Sequence, residues 1–524
     1  MPKQRQKNQQ SIGRLLIANR SEIACRIAQT AREMGIETVA VFSQADEYAR
    51  HVLEADRAVP LGGRTPAESY LDIDKILAAA GSSGCDGVHP GYGFLAENAD
   101  FARAVEKAGL LFVGPSAECI EAMGDKLRAR ELAAAYGLPI VPSAALGADA
   151  EENARAGTGL GYPVLVKAVA GGGGRGMRRV DRSEELGHAV AAARREAEAS
   201  FDDGRVYLEK CVLRPRHIEV QIFGNGDGEA VDLGERECSI QRRHQKVIEE
   251  SPAAALDPSL RSRLIDAALA LAKGLSYSGA GTVEFITGED GAWYFLEMNT
   301  RLQVEHAVTE MTTRTDMVRM QLETACGAGL APAPVAAGHA IECRVYAEDP
   351  SAGFLPTSGR IALVDHPRGT GVRVDSALYD GVDIPMEYDP MLAKVIAWAP
   401  ERDQCIARMT AALRKFAILG ITTNIPLLLD VLCDSAFLRA DYSTETLEQR
   451  FADWKPFADD QAARKRIEVG SAALAVLVGH GGAAGSRATY DASEMSSAPD
   501  PWQSLGAWRL GGRNRRDDSA EADR

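Results

Sequence analysis

Residues 297–306 read EMNTRLQVEH, too polar for a core and too regularly patterned for an idle loop. With a period of two, Glu297, Asn299, Arg301, Gln303 and Glu305 share one face, and Met298, Thr300, Leu302 and Val304 the other. Such a strand packs on one side and presents chemistry on the other. The preceding segment, GTVEFITGEDGAWYFLEMN from Gly281, holds two runs of β-formers around Asp290-Gly291, the dipeptide suited to a two-residue type I′ hairpin turn. That register sets Glu284 opposite Glu297 on the same face, with Cβ atoms about 5 Å apart. A four-residue turn from Gly288 to Gly291 keeps the two on one face but diagonal; a three-residue turn separates them. Facing carboxylates repel unless a cation or a shared proton relieves them. With the Asn299 amide they form an all-oxygen set suited to Mg²⁺ or Mn²⁺ and substrate phosphates. The competing reading is a solvated hairpin edge.

The chain has 524 residues, 45% hydrophobic and 25% charged, which is globular composition and length for several domains. A net charge of −15 argues against general nucleic-acid affinity, although local basic clusters can still hold phosphates. Nine cysteines form no C-x-x-C pair, so neither a zinc site nor a disulfide framework is indicated, and a reducing, cytoplasmic setting is expected. The opening MPKQRQKNQQ is a basic, polar tail with no secretory apolar segment behind it. The longest apolar run near the other end, Ala472 to Val478, falls far short of the roughly 20 residues that cross a bilayer. No membrane association is expected.

From Arg14, RLLIANRSEIACRIAQTAREMGIETVAVFS reads strand, helix, strand, and opens an α/β domain. Its turn, Ala18-Asn19-Arg20, lacks the glycines that dinucleotide binding requires. HPGYGFLAEN, residues 89–98, reads as a surface loop at a strand end, with His89 a structural hydrogen-bonder rather than a catalyst. A helix in MGDKLRARELAAAYGLPIVPS leads into a linker between Gly137 and Ser143, where a domain boundary is placed. Next comes YPVLVKAVA, a strand from Tyr162 to Ala170 holding Lys167, then GGGGRGM and Arg178-Arg179-Val180. A glycine hairpin between strands can fold backbone N–H groups over a phosphate chain. Val206 to Val212 is a strand carrying Glu209-Lys210, and SIQRRHQKVIEESP brings a basic cluster of Arg242, Arg243, His244 and Lys246 just upstream of the acidic hairpin. These cations can neutralise an anion held by the carboxylates and their metal. GHAIECRVYAEDP, GVRVDS and GITTNIP complete a mixed region read as one domain with the hairpin. Past Phe451 the texture changes to a helix from about Asp459 to Val478 and a Gly/Ala/Ser-rich tail.

HPGYGFLAEN, MGDK, KAVAGGGGRGM, SIQRRHQKVIEESP, EMNTRLQVEH, AEDP and GITTNIP, in this order, make the chain resemble the biotin carboxylases of the ATP-grasp superfamily from about Arg14 to Arg450. The resemblance implies α/β and α+β domains: a tail at 1–12 and a pre-ATP-grasp domain at 13–125. An ATP-grasp domain at 126–337, with its lid at about 140–211, and a C-terminal carboxylase domain at 338–450 follow. Residues 451–524 resemble the start of the linker domain of long acyl-CoA carboxylase α subunits. The resemblance also implies ATP and Mg²⁺ or Mn²⁺, biotin as carrier-bound substrate, a carrier protein or domain on another chain, a carboxyltransferase subunit and a homodimer. No A-M-K-M or V-M-K-M biotin-accepting sequence is present.

Carried over by position, Lys126, Lys167, Glu209, Lys210, Val212, His217, Gln241 and His244 look like nucleotide contacts, with Gly172, Gly173 and Gly174 over the phosphates. Glu284, Glu297 and Asn299 look like the metal ligands, with Glu284 and Glu297 also among the ATP-binding residues. Lys246, Arg301, Gln303 and Val304 look like the bicarbonate cradle, Glu305 the base, and Arg373 the cation that holds the biotin enolate. Arg314 stands where the family pattern usually has glycine, which puts the local turn in question. Two alternatives compete: another ATP-grasp ligase of the carbamoyl-phosphate type, and a non-catalytic regulatory subunit.

Overall fold

A computed structural model describes residues 11–169, 177–201 and 203–456. The glycine loop, including Gly172, Gly173 and Gly174, lies outside the described residues, as do residues 1–10 and 457–524 with the helix expected at about 459–478.

The first βαβ unit forms as read: strand Arg14–Ile17, helix Ser21–Glu33 and strand Glu37–Phe42, the strands pairing in parallel. Five parallel strands make this sheet, in the order Arg57–Pro60, Glu37–Phe42, Arg14–Ile17, Gly87–His89, Leu111–Phe112. Apart from the edge strand Arg57–Pro60, which is largely exposed, both faces are buried, which is why the inner strands lack polar alternation. Leu16, Val39 and Val88 pack against Ile76 and Phe101, while Leu15 and Ile17 pack against Ile23 and Ile27.

The hairpin and the C-terminal strands share one antiparallel sheet of eight strands. Its order is Trp293–Asn299, Ser278–Thr287, Arg216–Asn225, Ala230–Arg242, Gln245–Ser251, His339–Tyr346, Met391–Ala399, Val372–Ser376. One face is apolar. Ile218, Val220, Ile222 and Phe285 pack on Leu260, Leu264 and Leu271 of helix Pro258–Gly274. Further along, Ile341, Cys343 and Val395 pack on Cys405 and Met409 of helix Arg402–Lys415. The intervening residues, among them His217, Glu219, Glu342, Arg344 and Lys394, are buried on the other face. There, helix His306–Thr313 seats Ala307 and Val308 on Ala340 and Ile396.

A third sheet, in the order Ser143–Ala145, Val206–Lys210, Val164–Ala168, Arg178–Val180, is antiparallel throughout. It packs Val164, Val166 and Leu208 on Leu186, Val190 and Ala193 of helix Leu186–Phe201. Thus strands do flank the glycine loop, Lys167 on the first of them.

Three sequence expectations need correction. The 297–306 stretch is a strand only to Asn299. It is an edge strand, and the Thr300 N–H is taken by Glu97 Oε1 at 3.2 Å rather than by a neighbouring strand. The chain then turns toward helix His306–Thr313. The hairpin turn is not the two residues Asp290-Gly291: Thr287 pairs with Trp293, and the Gly288 N–H bonds to Ala292 O at 2.8 Å. A register shift between Glu284 and Phe285 then compensates, so that Glu284 still pairs with Glu297. The two-residue turn with φ positive at both residues occurs instead at Arg243 (48°) and His244 (66°), between paired Arg242 and Gln245. Finally, HPGYGFLAEN is not simply a surface loop. His89 ends a strand and is fully buried, its Nδ1 accepting from Gly91 N at 3.0 Å, and Asn98 caps helix Ala99–Lys107.

Candidate active site

The polar face of the large sheet converges on Lys246. Its Nζ lies 2.5 Å from Glu219 Oε2, 2.8 Å from Glu284 Oε1 and 2.6 Å from Glu305 Oε1. Burial, which would lower the ammonium's pKa, is outweighed by these carboxylates, and the pKa is raised well above the usual lysine value. Strand alternation delivers the partners: His217, Glu219 and Gln221 project from one strand, and Glu284 from the next, opposite Glu219. His217 Nε2 sits 2.7 Å from Glu284 Oε2. Arg236, wholly buried, pairs with Glu219 and donates to Gln303 Oε1 at 2.8 Å.

Glu305 precedes helix His306–Thr313, and its two oxygens are held by different cations, Oε1 by Lys246 and Oε2 by Arg344 at 3.0 Å. Burial pushes its pKa up, but Lys246 and then Arg344 push harder in the other direction, so the carboxyl stays well below the usual range and ionised. Arg344 in turn holds Glu249 at 2.6 Å. Gln303 donates to Glu284 Oε1 at 2.7 Å, and the Val304 carbonyl accepts from Lys394 at 2.6 Å. Arg301 spans Asn299 Oδ1 at 2.9 Å and Glu97 Oε2 at 2.9 Å, tying the end of HPGYGFLAEN to this loop.

The acidic pair fits a divalent cation. Glu284 and Glu297 face each other, and Asn299 Nδ2 is 2.8 Å from Glu284 Oε1, so presenting the amide oxygen to an ion requires the amide to turn and Arg301 to release it. Among the described residues Glu297 has no ion pair or hydrogen bond, although Glu284 has both. Glu297 is exposed at the open edge of the strand, yet the protein packed about its carboxyl, then the Glu284 charge, raise its pKa, and His217, Lys246 and last Lys126 offset part of that rise. Burial pushes Glu284 up but Lys246 and then His217 hold it well below the usual carboxylate range. An ion held by Glu284, Glu297 and Asn299 would supply positive charge to substrate phosphates.

The other expected nucleotide contacts divide. Lys167 pairs with Glu209, which Arg130 also holds at 2.6 Å. Gln241 is buried opposite Lys246, and His244 sits in the tight turn between their strands, whereas Lys210 is exposed and Val212 half-buried beyond that strand. The basic cluster does not converge as a unit. Arg242 turns to Glu348 at 3.0 Å and stacks over Phe354, leaving Lys246 as the cation that enters the site. Arg373, on Val372–Ser376, grips Asp375 through two bonds of 2.7 Å and Glu310 through another of 2.7 Å. Burial notwithstanding, these acids raise its pKa.

Over 442 residues the chain is 48% identical to biotin carboxylase 1 of Bacillus subtilis, covering 83% of this chain and 98% of that protein. The chain belongs to the biotin carboxylase family. The biotin carboxylase N-terminal domain family matches residues 11–120 and the biotin carboxylase C-terminal domain family residues 342–449. Between them, residues 125–332 match the ATP-binding domain of carbamoyl-phosphate synthase L chain. A methylcrotonoyl-CoA carboxylase subunit alpha of Dictyostelium discoideum is 41% identical over 515 residues, covering 95% of this chain and 70% of that protein. Among solved structures, the biotin carboxylase domain dimer of Hydrogenobacter thermophilus 2-oxoglutarate carboxylase, in complex with MgADP, ADP and bicarbonate, superposes with a TM-score of 0.81 at 43% identity. That match covers 85% of this chain and 99% of the other.

The candidate site contains residues that the sequence reading missed: Glu219, Arg236, Glu249 and Arg344. Their signal was present. In RHIEVQIF polar residues alternate with apolar ones inside an otherwise buried strand, and in HAIECRVY Glu342 and Arg344 do the same.

Proposed function

We propose that the chain carboxylates carrier-bound biotin with ATP and bicarbonate, as the first half-reaction of a biotin-dependent acyl-CoA carboxylase of the acetyl-, propionyl- or methylcrotonyl-CoA type. The observation that carries this reading is Lys246 bridging the acidic pair's Glu284 and the loop carboxylate Glu305. One cation thereby adjoins both a phosphate-metal subsite and a small-anion subsite. The names of the relatives support it, and the alignment with a methylcrotonoyl-CoA carboxylase subunit over 95% of the chain favours an acyl-CoA enzyme.

In this reading bicarbonate lies against Lys246, Arg301 and Gln303, and Glu305 accepts its proton as a bicarbonate oxygen bonds to the γ-phosphorus. The bond from that phosphorus to the ADP oxygen breaks, giving carboxyphosphate and ADP. Carbon–oxygen cleavage then releases CO₂ and phosphate. The phosphate removes the biotin N1 proton, N1 bonds to CO₂, and Arg373 pairs with the ureido oxygen as it gains charge. Biotin comes from a carrier outside these 524 residues, in which no Met-Lys pair occurs. Homodimerisation and a separate carboxyltransferase complete the proposal. The test is ADP release that requires bicarbonate and is stimulated by biotin. Release stimulated instead by ammonium would favour a carbamoyl-phosphate-type ligase.

A further inference from the structure

Behind the Glu305 loop, strand Met391–Ala399 runs between His339–Tyr346 and Val372–Ser376. Its Lys394 is completely buried, with Arg344 as its cross-strand neighbour on one side and Asp375 on the other. A buried ammonium requires compensation by hydrogen bonds or opposite charge. Neutralising acid alone would account for its presence, since Asp375 Oδ2 lies 3.5 Å away and Glu22 Oε1 3.8 Å. It does not account for its aim. The short bond from Lys394 goes to the backbone oxygen of Val304, at 2.6 Å, one residue before Glu305. Neither oxygen of Glu22, nor of buried Glu342, accepts a hydrogen bond among the described residues.

The neighbours of Lys394 complete the pattern. Arg344 holds Glu305, and Asp375 holds Arg373 through both carboxylate oxygens. Lys394 therefore touches the backbone that presents the base and sits beside the carboxylate that orients the enolate-binding cation. We infer that Lys394 is a positioning residue that fixes the Val304–Glu305 loop in register with Arg373 through Asp375, coupling carboxyphosphate formation to biotin carboxylation. The inference rests on the function proposed above. Without the tether, the two subsites move independently, and CO₂ escapes more often than it meets the biotin nitrogen.

The experiment compares wild type with K394M/E22Q, which removes one positive and one negative charge together and avoids stranding Glu22. Each protein is assayed for MgATP affinity, bicarbonate-dependent ADP release and carboxylation of biotin, with thermal melting as the check on folding. The expected result is a folded double variant with MgATP affinity within about threefold of wild type. Its number of ATP molecules cleaved per biotin carboxylated should rise about tenfold or more, because a misplaced group commonly costs up to about 10²-fold. A folded double variant with the wild-type ratio overturns the inference. If that variant does not fold, K394R decides: a role in charge alone predicts the wild-type ratio and refutes positioning, whereas a raised ratio supports it. A wild-type chain that carboxylates no biotin refutes the functional reading, and this inference with it.

Discussion

Glu305→Gln removes one negative charge without changing shape, at the residue assigned as the base. The structure bounds its effect on folding. Two charge-assisted bonds weaken, those to Lys246 at 2.6 Å and Arg344 at 3.0 Å. Neither cation is left alone, because Lys246 keeps Glu219 and Glu284, and Arg344 keeps Glu249. The stability loss should therefore be about 1.5–3 kcal/mol, the range for hydrogen bonds to charged groups. Stripping a buried ion of its sole partner costs more, about 3–5 kcal/mol. The effect on chemistry should be larger, since a positioned general base contributes about 10²- to 10⁴-fold. Glu305 is not among the residues assigned to the nucleotide, so MgATP affinity should stay within about threefold, under 1 kcal/mol. The assay pairs nucleotide titration with bicarbonate-dependent ADP release on the same preparation. Turnover within a few-fold of wild type, or a tenfold loss of MgATP affinity, would refute the assignment.

Arg373→Ala should lower biotin carboxylation about 10²- to 10³-fold, as for loss of one oxyanion stabiliser, and spare ADP release without biotin. Its partners Glu310 and Asp375 retain Arg26 and Lys394, so an equal loss in both assays would mean a structural role. Arg314→Gly should stabilise the fold by about 0.5–1 kcal/mol, because Arg314 caps helix His306–Thr313 at φ 57° and ψ 35°, a left-handed conformation that glycine adopts freely; an unchanged or lower urea midpoint contradicts this. Burial pushes Glu250 up, but hydrogen bonds from His339 and Arg402 outweigh it and bring the carboxyl to about 2 from 4.5. A depressed folded value stabilises the fold above pH 4.5 and is lost as pH falls toward 2. Wild type should thus lose up to about 3 kcal/mol across that window that Glu250→Gln does not, and parallel stability curves would refute the shift.

The acidic pair was legible from strand alternation, but its facing rests on a bulge that the sequence did not show: the longer loop alone would set Glu284 opposite Leu296, and the register shift between Glu284 and Phe285 restores Glu297. The strand's end was not legible, since the Thr300 N–H is claimed by Glu97 from some 200 residues earlier. Nor could sequence say that Arg242 would turn aside to Glu348 while Lys246 turned inward, because the choice depends on a strand about 100 residues later. The Arg314 departure became intelligible only with its φ in hand. Lys394 gave no local signal, as its strand reads as an apolar run broken by one lysine, and its meaning lies in Val304, Arg344 and Asp375 on other segments.

The central claim is that bicarbonate oxygen attacks the γ-phosphorus beside Lys246 and Glu305. The most direct test supplies 18O-labelled bicarbonate with unlabelled ATP, water and biotin, and reads the inorganic phosphate by mass spectrometry before the label exchanges. The account predicts phosphate carrying one oxygen from bicarbonate for each turnover. Unlabelled phosphate, with ADP release undiminished, would show water to be the nucleophile and contradict it.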